Sequence, residues 1–203
     1  MKHSININSL FVVPADRSNV CPGELLVAEP FMSDKWFGRS VVVIVDNSDA
    51  EGTTGLTLNL ETTTKLHKVL PAVERDNVPL FCGGPVGHDQ LMFLHTLGES
   101  IIPGAKEICS GLWLGGNFDS MVEYVNSGYP IDGHIRFFVG YSGWSPGQLS
   151  DEIKANAWGV FPVATAQSWL LSESGAKAWK RVVAMMDARY RPWLMVPADT
   201  RAN

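Results

Sequence analysis

The segment Gly140-Tyr141-Ser142-Gly143-Trp144 sets a serine on a glycine-flanked turn, the kind of place where a nucleophile can be exposed at the end of a strand. A nucleophile elbow requires G-x-S-x-G together with acid–base partners. Trp144 stands where the second glycine belongs, so the motif is incomplete, and the glycines read as relief of backbone strain at a strand-to-helix turn. Gly83-Gly84-Pro85-Val86-Gly87 follows an apolar run and has the glycine content of a phosphate cradle. It lacks the Lys and Ser/Thr of a P-loop and the spacing of a dinucleotide fingerprint, so a plain turn is expected. His3, His67, His88, His95 and His134 are scattered, with no pair at ligand spacing, and no metal site is expected. The residues left as ligand-binding candidates are Arg39, beside Trp36-Phe37, then His95 in LMFLHTL, and Tyr141 and Trp144 around the glycine turn. An arginine next to aromatic rings can hold an anion. No residue is assigned a catalytic role and no cofactor is called for.

These residues need a scaffold, and the composition can supply one. The chain has 203 residues, 45% of them hydrophobic and 18% charged, enough for one domain with a sizeable core. The expected organisation is a single domain over 1–203, with an irregular segment 1–22, C-terminal helices in 165–190 and a tail 192–203. The formal net charge is −5, with 18 of the 21 acids and 10 of the 16 bases preceding Glu173. Only the C-terminal segment, with Lys177, Lys180, Arg181, Arg189, Arg191 and Arg201, is net positive. That balance argues against direct nucleic-acid binding, which uses a basic stripe to neutralise phosphates. Cys21, Cys82 and Cys109 are odd in number and widely spaced, without a disulfide framework. No apolar run approaches the about 18 residues of a membrane span. The N-terminal apolar run Leu10–Val13 is too short for a signal peptide. A cytoplasmic protein is expected.

The hydrophobic periodicity predicts the positioning elements. Glu24–Ala28 reads as a strand, and Ser33-Asp34 as the cap of one turn over Lys35–Phe37, closed by Gly38. Ser40–Val45 is apolar and β-branched nearly throughout, a strand covered on both faces, and Ser40–Leu60 forms a hairpin. Thr62–Thr64 offers caps for a helix to Leu70. Val78–Cys82 and Leu91–Leu97 flank the Gly-Gly-Pro turn as a second hairpin-like unit. Ile108–Leu114 is a strand, Asn117 caps a helix over Phe118–Ser127, and Ile135–Val139 is a further apolar strand before a turn at Gly140–Gly143. Ser145-Pro146-Gly147-Gln148 fits a capping box for the helix that follows. Trp158–Ala164 is an edge strand, and Ala166–Leu171 and Gly175–Ala188 are helices. Paired strands with helices inserted irregularly imply an α+β fold with a largely antiparallel sheet.

Several segments together resemble one family. GELLVAEPFMSDKWFGRSVVVIV, GTTGLTLN, FCGGPV with LMFLH, and VGYSGWSPGQLSDEIKANAW, in that order over roughly Gly23 to Met186, are similar to the YqgE/AlgH family of bacterial proteins. The resemblance implies an α+β fold with an antiparallel, partly barrel-like sheet surrounded by helices. It also implies a bacterial, cytoplasmic source. It brings the label of a transcriptional regulator, but no established catalytic or binding residues. The chain departs from the family pattern at Asp46-Asn47, where a histidine is often found, and at Thr57 and Ser142. With no complete catalytic constellation, the expectation is a regulatory or ligand-binding module that takes a small molecule or a protein partner. The alternatives are a direct DNA-binding regulator and an enzyme acting on a small polar substrate through Arg39, His95 or Tyr141.

Overall fold

The computed structural model describes residues 11–163 and 168–197. Ten strands form one sheet: β1 Leu25–Ala28, β2 Val41–Ser48, β3 Gly52–Thr57, β4 Glu61–Lys65, β5 Pro79–Cys82, β6 Val86–His95, β7 Lys106–Cys109, β8 Leu112–Leu114, β9 Ile135–Trp144 and β10 Trp158–Phe161. Three α-helices, α1 Phe118–Asn126, α2 Gln148–Lys154 and α3 Gly175–Met185, and 3₁₀ segments at Leu66–Lys68, Ser168–Leu171 and Ala188–Met195 complete the described chain. The main path runs β10-β1-β2-β3-β9-β6-β8-β7, and β4 pairs with β5 off it. Its two end strands do not pair with each other, so the sheet is open, and the α+β, largely antiparallel architecture is as expected.

β9 organises the sheet. Its first half pairs parallel with β5, Leu80 to Cys82 lying opposite Phe137 to Val139, and antiparallel with β6, His95 lying opposite Ile135. Its last three residues pair with β3. A single strand thus serves three partners, which explains two departures from expectation. β5 and β6 are not a hairpin, because both lie against β9, one on each side. The Gly83–Gly87 segment that joins them must cross β9 closely: a Cβ on Gly84 (φ +154°) would lie 2.3 Å from the Tyr141 carbonyl carbon. The Gly140–Gly143 turn is also absent, since hydrogen bonding to β3 keeps β9 extended through Trp144.

The strand sequences alternate between two covered faces. Leu25, Val27, Val41, Val43 and Val45 join Phe138, Leu171, Trp179 and Trp193 in one core cluster under α3 and the last 3₁₀ segment. On the opposite face, Leu26, Ala28, Val42 and Ile44 pack with Trp144, Leu149, Ile153 and Trp158 near α2. Further along the sheet, Phe93, Ile135 and Phe137 pack with Met121 and Val125 of α1. Coverage of β2 on both faces is what its β-branched run predicts.

Other local differences have identifiable causes. Asp34 caps its turn as expected, Oδ1 accepting from the amides of Trp36 (2.7 Å) and Phe37 (3.1 Å). The left-handed residue that ends the turn is Arg39 (φ 56°), not Gly38. Thr62–Thr64 belongs to β4, where the Thr62 hydroxyl donates to the Leu80 carbonyl (2.9 Å) across the strand pair, so no helix starts there. Ile108–Leu114 splits into β7 and β8 around Gly111. α2 begins at Gln148, two residues later than a helix starting directly after a Ser145 cap, with Gly147 left-handed (φ 81°) in between. One half of the capping box forms: the Ser145 amide donates to Gln148 Oε1 at 3.1 Å. Of the helix expected at Ala166–Leu171, the described part is 3₁₀, and residues 166 and 167 lie outside the described residues, as does Ala164 of the last strand.

Candidate functional site

The four ligand-binding candidates do not meet at one place. His95 and Trp144 stand near opposite ends of β9: His95 faces Ile135, nine residues before Trp144, about 30 Å along an extended strand. His95 is fully buried; its Nδ1 accepts from the Leu97 amide (3.3 Å), which places the proton on Nε2 to donate to the Gly115 carbonyl (3.0 Å). Burial pushes its pKa below the ordinary histidine value. Trp144 is buried against Phe37 and Trp158, and its indole donates to Glu152 Oε2 at 2.9 Å. The half-buried Tyr141 ring lies over Gly87, where an added Cβ would come within 2.6 Å of it. Arg39 reaches the C-terminal segment: Nη2 donates to the carbonyls of Val196 (2.8 Å) and Pro197 (2.5 Å), and the guanidinium lies 4.8 Å from the Trp179 ring centre.

The suspected nucleophile is occupied. Ser142 is fully buried, and its Oγ donates to the Gly83 carbonyl at 3.0 Å, with Thr57 Oγ1 at 3.4 Å. No group of three or more His, Cys, Asp or Glu side chains among the described residues could hold a metal ion, and none of the described helices is long and apolar enough to cross a membrane.

The residue that the periodicity concealed is Arg136. It lies in the otherwise apolar first half of β9, Ile135–Val139, and it is only 3% exposed. Its guanidinium lies 4.1 Å from the Phe81 ring centre, and Nη1 donates to the carbonyls of Leu58 (2.5 Å) and Glu173 (3.0 Å). None of the ion pairs among the described residues includes it. Burial pushes its pKa down to about 10, against the pull of Asp132 and Glu61 in the other direction. A charge this deep is costly unless neighbours solvate it, and here carbonyls and an aromatic face do so.

Arg136 lines a cavity of about 370 Å³ between β9, the segment 75–81, the loop 130–132 and the residues leading into α3. Phe81, Ile131 and Leu171 give it apolar walls, and Glu61, Arg75, Asp132 and Arg136 supply charges of both signs. Arg75 is held in place by donating to the carbonyls of Tyr129 (2.9 Å) and Val125 (3.4 Å). Such a cavity can orient a small polar molecule by its charged ends while its apolar part rests against the walls. The signal for it in the sequence is a lone arginine inside IRFFV, where neither period nor motif calls for a charge.

An open, mostly antiparallel sheet with helices on both faces, carrying a cavity with apolar walls and charges of both signs, defines an α+β protein. Its lineage follows from comparison with known proteins. The AlgH-like family model matches residues 25–191, and the chain belongs to that family. A UPF0301 protein of Parabacteroides distasonis is 38% identical over 182 residues, 89% of this chain and 90% of that protein. Another, from Bacteroides fragilis, is 38% identical over 201 residues, 98% of this chain and the whole of that one. Among solved structures, a protein of Corynebacterium diphtheriae shares the fold with a TM-score of 0.71 at 22% identity, over 95% of this chain and 98% of that one. The AlgH protein of Pseudomonas aeruginosa has a TM-score of 0.61 at 25% identity, over 90% and 94% of the two chains.

Proposed function

We propose that this protein is a non-enzymatic ligand-binding module of the cytoplasm, with a regulatory role, and that it receives its ligand in the Arg136 cavity. The supporting observation is the buried arginine itself, solvated by two carbonyls and paired with no carboxylate, at the wall of an open cavity. The ligand it favours is a small molecule with a carboxylate or phosphate end for Arg136 and donor groups for Glu61 and Asp132. Neither the acidic net charge nor the cavity's mixed signs favours nucleic acid as the partner.

Calorimetric titration with a panel of amino acids, dicarboxylates and phosphate esters tests this proposal. One class should saturate the protein, be recovered chemically unchanged, and lose several-fold in affinity in Asp132→Asn and Arg75→Ala. Turnover of the bound compound overturns the non-enzymatic assignment, and binding indifferent to both substitutions overturns the site.

A further inference from the structure

A second cleft, of about 230 Å³, lies between the turn at residues 35–39 and the start of α3, lined by Trp36, Arg39, Ser40, Leu60, Gly175 and Ala176 among others. It collects donors that the chain itself leaves unused. Ser40 is 3% exposed, and its Oγ has no hydrogen-bond partner; neither has the buried Nη1 of Arg39, whose Nη2 is committed to the C-terminal carbonyls. At the start of α3, an eleven-residue helix, the Ser174 side chain makes no cap. The Gly175 amide donates to the Asn59 carbonyl (2.8 Å), and the Ala178 amide turns back to Ser174 (3.4 Å). The amides of Ala176 and Lys177 are the remaining first-turn donors, at the positive end of the helix dipole. No acidic side chain lines the cleft, and the Asn59 side-chain oxygen is taken by the Val41 amide (2.8 Å).

A buried hydroxyl, one arm of a guanidinium and the Ala176 amide are donors at one space, with the Lys177 amide next along the helix. A carboxylate offers two oxygens to such a set; a phosphate group offers three or four in a tetrahedral arrangement. Trp36 and Leu60 add apolar wall beside the donors, more than a bare ion would use. We propose that this cleft binds the phosphate group of a small phosphate monoester, the organic part lying against Trp36 and Leu60. The site is separate from the Arg136 cavity, and none of that cavity's lining residues is altered in the test below.

The test is an amide-resolved NMR titration of the full chain with phenyl phosphate, inorganic phosphate and benzoate. Phenyl phosphate should shift the amides of Ala176 and Lys177 saturably, with inorganic phosphate weaker at the same amides and benzoate weaker still. Ser40→Ala should weaken phenyl phosphate about tenfold by removing one hydrogen bond to a charged group. That change deletes an unsatisfied buried hydroxyl, so the fold is retained. Ala176→Asp, at an exposed position where the helix dipole favours an acid, should fill the site with its own carboxylate and abolish the shifts. The proposal is overturned by unmoved amides at Ala176 and Lys177, or by shifts that persist undiminished in both variants. Benzoate binding as tightly as phenyl phosphate overturns the phosphate assignment, and inorganic phosphate doing so overturns the monoester.

Discussion

Arg39 and Arg136 are fastened to adjacent residues of one wall: the Arg39 carbonyl accepts from Asn59 Nδ2 (2.9 Å), and Arg136 Nη1 donates to the Leu58 carbonyl (2.5 Å). The segment entering α3 is gripped in the same way, Glu173 by Arg136 and Gly175 by Asn59. Residues 58–60 and 172–176 therefore separate the two cavities and are held from both sides.

The first expectation concerns Arg136. Arg136→Ala leaves the Leu58 and Glu173 carbonyls without their donor and opens a void beside Phe81. Two unsatisfied buried acceptors and a lost side chain cost about 3–4 kcal/mol. Arg136→Met keeps most of the volume and removes the buried charge, so it costs less, about 1–2 kcal/mol. Urea unfolding midpoints of the two variants check the order; equal losses would mean that the carbonyl contacts, which both variants lose, and not packing, are what Arg136 supplies.

His95 gives the native state a dependence on pH. Its folded pKa lies below the ordinary value of 6.5 because burial disfavours the imidazolium. Below about 6.5 the unfolded chain therefore binds a proton that the folded chain refuses, and stability falls with decreasing pH until the folded pKa is reached. Above that window the neutral ring contributes fully. Unfolding followed from about pH 8 to about pH 5 should show this decline. His95→Gln, which cannot titrate, should lose stability at neutral pH but have a shallower acid slope.

Glu152 accepts from two indoles with a single oxygen, from Trp144 Nε1 at 2.9 Å and from Trp158 Nε1 at 2.8 Å. Glu152→Ala strands both N–H groups in the aromatic cluster with Phe37 and should cost about 2–4 kcal/mol. Glu152→Gln retains a neutral acceptor and should cost about 1 kcal/mol. Tryptophan fluorescence reports the local change, and chemical denaturation reports the cost.

How much of this was legible beforehand depended on whether the deciding interaction was local. Asn117, whose side chain accepts from the Ser120 amide at 2.9 Å, and the apolar run of β2 are decided within a few residues, and both were read from the sequence. Thr62–Thr64 has helix-capping residues, yet becomes a strand because β5 lies beside it, a partner some 18 residues away that no local signal names. The same holds for β5 and β6, whose shared partner β9 comes later in the chain than either. Arg39 was identified from its aromatic neighbours, but its contacts with Val196 and Pro197 span more than 150 residues. Arg136 was read through as part of an apolar strand, since the pattern of its neighbours outweighed its charge.

The glycine-rich segments supply a test that separates backbone conformation from close approach. Gly147 (φ 81°) has open space where a Cβ would stand, so Gly147→Ala pays only for the left-handed conformation, about 1 kcal/mol. At Gly84 the added Cβ would also lie 2.4 Å from the Ser142 amide nitrogen, and neither main chain can yield without breaking β9 pairing. Gly84→Ala should therefore cost more than about 3 kcal/mol or prevent folding. Soluble yield and melting temperature distinguish the two, and similar values for both variants would remove the close-approach argument.

Asn59 offers the sharpest probe of the shared wall. Its Oδ1 accepts from the Val41 amide (2.8 Å), while Nδ2 donates to the carbonyls of Arg39 and Gly175, each at 2.9 Å. Asn59→Asp preserves the shape and the first bond but turns a carboxylate oxygen toward two carbonyls. At neutral pH this should cost about 2–4 kcal/mol, from two lost bonds and a charge facing acceptors. Those acceptors raise the folded pKa of the new carboxyl above its unfolded value of about 3.9, so the penalty is present at high pH and shrinks as pH falls toward that folded pKa. The deficit relative to the parent chain at the same pH should thus be smaller at about pH 5 than at about pH 8. Hydrogen exchange at Gly175, whose amide donates to the Asn59 carbonyl, should accelerate with the deficit. A deficit independent of pH would show that the new carboxylate has turned away from the wall, and that Asn59 Nδ2 is not what joins α3 to the sheet.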